Sequence, residues 1–360
     1  MGAAATCGSH LGFGSLIYAL VSFAGRGDSA TRPGSVELVD PITLASTDSS
    51  VDLQARVPAV AQNGDYIVYT DAPPNGAAAV FDTRGKFVSA IGVPGSGPGE
   101  FHQITSAGFG VGDTIWILDG MVTAHAFSPA PTVRYIRSVH LDHMTTGDIT
   151  ALGILAPAGL YGEVVRPATL VGWDGHEAAR FGAEHRKADA ERMMGPVFAL
   201  DATQAWTASG TAYALDLVSW SGDTLRHIAR SVAWFPPHAG RKGFPWVVPP
   251  TPRITSIFVD ARERIWLFIR RANRNWQPRT IGRASTNGPL SIRGLPSAAE
   301  VSNLFEGVID VLDSKTGQLL ASREVEGSVI GLTSSGMICA IDESLDGRIS
   351  LRLSRLQFRP

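Results

Sequence analysis

The chain has 360 residues, 44% of them hydrophobic and 18% charged, with 39 glycines and 22 prolines. That composition excludes a disordered chain and a membrane bundle, and frequent turn residues between short apolar runs fit an all-β fold with many hairpins. A formal net charge of −2 gives no overall pull toward nucleic acid, and Cys7 and Cys339 form no Cys-x-x-Cys pair, which argues against a cysteine-based zinc site.

Residues Leu11 to Gly25 are apolar and uncharged. This run is shorter than the about 20 residues a spanning helix needs and suits the hydrophobic region of a secretory signal, with Ser22-Phe23-Ala24 as a small-x-small cleavage pattern. Only His10 and the amino terminus precede it as chargeable groups. Residues 1–30 are therefore expected to be a signal-like or anchor segment, the chain's only link to a membrane. The expected location is outside the cytoplasm, periplasmic or at the cell surface. Residues 31–360 are expected to form one domain.

Beyond residue 30 a phrase repeats: two short apolar runs, an aromatic residue or Leu followed by a small polar turn, then another run. The turns are Phe81-Asp82-Thr83-Arg84-Gly85, Phe127-Ser128-Pro129, Trp173-Asp174-Gly175, Trp220-Ser221-Gly222 and Leu312-Asp313-Ser314-Lys315-Thr316-Gly317. The residue after the aromatic recurs at 82, 128, 174 and 221, spacings of 46, 46 and 47 that match a four-stranded propeller blade. The next spacing, 221 to 313, is 92. It is read as one blade with a long loop at about 271–304, between the run pair Ile254–Val259 and Ile265–Ile269 and the pair Gly307–Leu312 and Gln318–Ser322. After residue 327 only three strands remain, so Val36–Val39 or Ile42–Ala45 is expected to supply the fourth and close the ring. The fold class is all-β, a six-bladed β-propeller with its last blade closed by an N-terminal strand.

The passage Ala79 to Val88, followed by Ile91-Gly92-Val93-Pro94-Gly95-Ser96-Gly97-Pro98-Gly99-Glu100-Phe101, resembles bacterial six-bladed propeller proteins related to NHL repeats. The likeness covers the first blade and its exit loop, with the Gly-Pro-Gly-Glu-Phe motif at 97–101; later blades share only the rhythm. In this loop Gly95, Gly97 and Gly99 are expected to permit unusual dihedrals, Glu100 to accept backbone N–H bonds, and Phe101 to pack between blades. A phosphate-cradling role fails on context, since no helix and no Lys follow the last glycine.

No catalytic motif is legible. His125, His140, Asp142 and His143 offer metal-ligand chemistry in one blade, and His102 is placed to point into the central channel. These residues make a metal-assisted hydrolase or lyase the alternative reading, the only one that implies a cofactor, a divalent metal. The leading reading rests on residues 234–299, where ten Arg and one Lys face only Asp260 and Glu263, a net +9. Trp246, Arg253, Arg270, Arg271, Arg274, Trp276 and Arg279 are the candidate binding residues, because Arg and Trp together favour recognition surfaces. The expected function is a non-enzymatic, monomeric binding or scaffold propeller that presents this basic, aromatic-rimmed face to an anionic ligand or protein partner, with no nucleic acid involved.

Overall fold

The computed structural model describes residues 34–45, 57–61, 63–70, 78–120, 122–142, 147–157, 164–186, 195–238, 248–277, 304–325, 328–344 and 349–360. The signal-like segment 1–30, His143, Trp246, Arg279 and most of the 271–304 loop lie outside these residues.

Six four-stranded antiparallel sheets follow one another along the chain. Blade 1 is Ala59–Val60, Tyr66–Thr70, Ala78–Asp82 and Phe87–Ile91. Blade 2 is Ile104–Phe109, Ile115–Asp119, Thr123–Phe127 and Tyr135–His140. Blade 3 is Asp148–Thr150, Gly153–Pro157, Ala168–Val171 and Glu177–Phe181. Blade 4 is Val197–Ala199, Gln204–Ala208, Ala214–Ser219 and Thr224–Ala229. Blade 5 is Arg253–Val259, Arg264–Ala272, Phe305–Asp313 and Leu319–Val325. Blade 6 is Ser328–Leu332, Met337–Glu343 and Ile349–Arg359, completed on its outer side by Ser35–Ala45.

The strand sequences reflect their depth. Middle strands such as Ile115–Asp119 are buried along their whole length, because each blade is covered on both faces by its neighbours. Outer strands such as Tyr135–His140 are largely exposed and polar. The core therefore lies between blades. Leu44, Leu351 and Leu353 of blade 6 pack with Ile67, Tyr69 and Phe81 of blade 1 and with Cys339, a buried thiol acting as a small hydrophobe.

The six-blade count and the closure by an N-terminal strand are both found. The two segments weighed for closure are halves of one strand. Val36–Val39 and Ile42–Ala45 both pair with Ile349–Arg359, and the register slips between them at Asp40, which takes a φ of 50°. The doubled spacing is also explained. In blade 5 the second and third strands pair up to Ala272 opposite Phe305, so the extra residues fall between those two strands in the chain.

Candidate functional site

The first strand of each blade is its innermost, and together these six strands surround a cavity of about 710 Å3. Three of them carry a register slip: blade 6 has one between Val329 and Gly331, and blades 2 and 5 share a form in which the extra residue is a threonine. In blade 2 the register slips between Ile104 and Ser106, and in blade 5 between Ile254 and Ser256. A bulge leaves a carbonyl on the facing strand without its ladder donor. In blades 2 and 5 the extra residue supplies one: Thr105 Oγ1 donates to the Leu118 carbonyl and Thr255 Oγ1 to the Phe268 carbonyl, both at 3.2 Å. Ser256 Oγ accepts the Leu332 N–H at 3.2 Å, tying blade 5 to blade 6.

The cavity wall is a mixture of hydroxyls and apolar side chains, and among the described residues its single charged one is Asp148, at the start of the inner strand of blade 3. Asp148 is open to the cavity, yet the ring encloses it, and this enclosure raises its carboxyl above the usual carboxylate range. Among the described residues none donates a hydrogen bond to that carboxylate or pairs with it. Sequence reasoning missed Asp148. The available signal was a lone acid at the start of an inner strand, where the other blades place Ala, Ile, Val, Arg and Ser.

The described residues expected to bind lie elsewhere, and their cations are engaged within the chain. Arg271 faces Glu306 across the second and third strands of blade 5. Its Nε meets Glu306 Oε1 at 2.5 Å and its Nη2 meets Glu324 Oε1 at 2.7 Å, while the guanidinium lies over Trp234. Arg274 pairs with Glu324 and Glu306. Arg270 is half-buried over the Phe305 ring and donates to the Val329 carbonyl at 2.9 Å. Arg253 donates to the Gly210 carbonyl at 3.5 Å, and Trp276 is half-buried with its N–H on the Asn273 carbonyl. The count of +9 over 234–299 stopped just short of the acids that offset it.

The histidine set does not converge either. His102 does not reach the channel; it turns outward at the exit of blade 1, with Nε2 3.0 Å from Ser96 Oγ. His125 is buried and shares a hydrogen bond with Ser138. His140 is exposed, and Asp142 pairs with His176 at 2.7 Å. Among the described residues no group of three or more His, Cys, Asp or Glu is arranged to hold a metal. The exit loop behaves as expected: Gly97 N–H donates to Glu100 Oε2 at 2.8 Å, and Phe101 is buried between blades 1 and 2. Gly97 itself has ordinary dihedrals; Gly92, Gly95 and Gly99 take the positive φ.

A family model described as a 6-bladed beta-propeller, DUF5128, matches residues 42–145. The chain is a six-bladed β-propeller. Solved structures agree with it over nearly its whole length. A member of the DUF4221 family from Bacteroides vulgatus is 10% identical with a TM-score of 0.56, covering 91% of this chain and 99% of that one. A Bacteroides fragilis protein proposed to be exported is 13% identical with a TM-score of 0.55, covering 89% and 95%. At such identity the likeness carries the fold alone. No curated protein matches the propeller in sequence.

Proposed function

We propose that this propeller is an exported ligand-binding protein whose site is the central cavity and whose ligand is a small organic cation, such as an amine or ammonium compound. The observation that carries the reading is Asp148, an unpaired carboxylate that is, among the described residues, the only charge on a wall of hydroxyls and apolar groups. The cavity volume falls within the range of small-molecule sites, about 300–1,000 Å3. An ammonium group would neutralise the carboxylate, the hydroxyls would take the ligand's polar substituents, and Phe109, Ile257 and Leu332 would cover its carbons. A divalent ion fits less well, because it needs several oxygen ligands and usually more than one carboxylate. The basic face built by Arg270, Arg271 and Arg274 gives weaker support for an anionic ligand, since Glu306 and Glu324 already hold Arg271 and Arg274. Export is supported by the apolar run Leu11 to Gly25 and is compatible with the Bacteroides fragilis relative. The passage that resembles NHL proteins lies inside the matched residues 42–145.

The test is thermal unfolding of the full chain with putrescine, choline and ethanolamine at millimolar concentration. Binding to the folded state alone raises the melting temperature by mass action. At least one of these should stabilise the wild type and lose that effect in Asp148→Asn. Equal behaviour of the two proteins with all three probes would overturn the reading.

A further inference from the structure

Away from the channel, the loop from blade 1 to blade 2 assembles a serine, a histidine and a carboxylate in sequence. The loop is rigid: Gly95 N–H donates to the Phe101 carbonyl and Phe101 N–H to the Val93 carbonyl, each at 3.0 Å. Ser96 stands exposed at its tip between two glycines, with Oγ 3.0 Å from His102 Nε2. The other ring nitrogen, Nδ1, is 3.6 Å from Asp119 Oδ2. Asp119 is buried at the end of the second strand of blade 2 and fixed by N–H groups from His102 and Gln103, at 3.0 and 2.6 Å. Behind it, His125 Nε2 lies 3.9 Å from the same oxygen with no other partner. His125 Nδ1 continues to Ser138 Oγ at 2.9 Å, and Ser138 Oγ to Tyr135 OH at 2.7 Å.

We propose that Ser96 is a nucleophile, with His102 as its base and Asp119 as the residue positioning His102, in a site that hydrolyses small carboxylic esters with short apolar acyl groups. The geometry has the order this chemistry requires: hydroxyl to imidazole within hydrogen-bond reach, and the far side of the imidazole facing a fixed carboxylate. The Nδ1 to Asp119 separation is longer than a hydrogen bond, a gap of a size that closes on substrate binding in such sites. In the first step the Ser96 Oγ–acyl bond forms as the hydroxyl proton passes to His102 Nε2. The ester C–O bond then breaks, and that proton leaves on the alcohol. Water repeats the sequence to release the acid and restore Ser96. The Ser96 N–H, which has no acceptor among the described residues, is available to the developing oxyanion. Exposed Val93 in the same loop, and Tyr135 packed against Gly99, offer an apolar rest for the acyl group. The rival reading is that Asp119 serves only to hold the loop's N–H groups.

The test is labelling of the full chain with a fluorophosphonate, mapped by peptide mass, alongside hydrolysis of p-nitrophenyl acetate. A single mark on Ser96 is expected, absent in Ser96→Ala and slowed about 100-fold in His102→Gln, the usual size of a general-base contribution. Both side chains are exposed, so unchanged melting temperatures will certify the variants' folds. Putrescine, choline and ethanolamine should leave labelling of Ser96 intact, which separates this site from the channel. No mark on Ser96, or labelling of His102→Gln at the wild-type rate, overturns the proposal.

Discussion

Asp148 sits in a setting that disfavours its charge, and this has a sign that experiment can read. Its folded pKa is raised above the unfolded value near about 3.9, so folding is opposed once both states ionise and unopposed below that range. Asp148→Asn should therefore unfold at higher urea than wild type at neutral pH, with the gap closing as pH falls to the ordinary carboxylate range. A constant gap would mean the carboxylate is not desolvated. Asp310 is a buried acid with donors. Tyr213 OH and Ser322 Oγ each reach it at 2.5 Å, joining blade 4 to blade 5. Tyr213→Phe removes one donor to a buried carboxyl oxygen and should cost about 1–3 kcal/mol in denaturant titration. Arg270→Ala should likewise destabilise, through lost packing and the Val329 bond, whereas exposed Arg274→Ala should leave the unfolding midpoint unchanged. Such distinctions were hidden in the sequence. Residues 234–299 looked like free positive charge because Glu306 and Glu324 return to Arg271 and Arg274 only after a long stretch of intervening chain. Asp148 looked like any loop acid because the sequence does not say which of its neighbours face the axis.

At the scale of the strand and turn, the repeated phrase turns out to be a contact between blades. Gly85, in the last turn of blade 1, has φ 76°, and a Cβ there would lie 1.9 Å from the Thr43 carbonyl oxygen of the closing strand. Gly175, at the same place in blade 3, has φ 90° and stands 2.1 Å by the same measure from the His140 carbonyl oxygen on the outer strand of blade 2. Each turn leans on the outer strand of the blade before it. The period of 46 was legible because one turn chemistry recurs at one point of each blade; the surface it leans on belongs to a different repeat and was not. Gly175→Ala should combine a left-handed backbone penalty of about 1–2 kcal/mol with an overpacking cost of about 1–3 kcal/mol. Gly120→Ala is the internal control, since it has φ 58° and nothing within 4 Å of the added methyl, and should show the first cost alone. Equal urea midpoints for the two variants would show that the contact carries no energy.

For the whole molecule, closure depends on one pairing, Ser35–Ala45 with Ile349–Arg359. Deleting residues through Ala45 would bare an eleven-residue edge strand. The truncated protein should melt earlier and self-associate in light scattering, because an unpaired edge recruits another strand. A monomeric product with an unchanged melting curve would show that closure contributes little. The ring and its closing strand were readable because three leftover strands demanded a fourth. The same pairing also sets a timetable. A ribosome adds about 5–20 residues per second, so the roughly 300 residues between Ala45 and the strand that receives it take on the order of a quarter of a minute to a minute to appear. The first described strand in chain order is thus the last to find its partner. Throughout that wait Asp40 and Pro41 interrupt its apolar run, and such an interruption keeps a solitary strand from pairing with the wrong one.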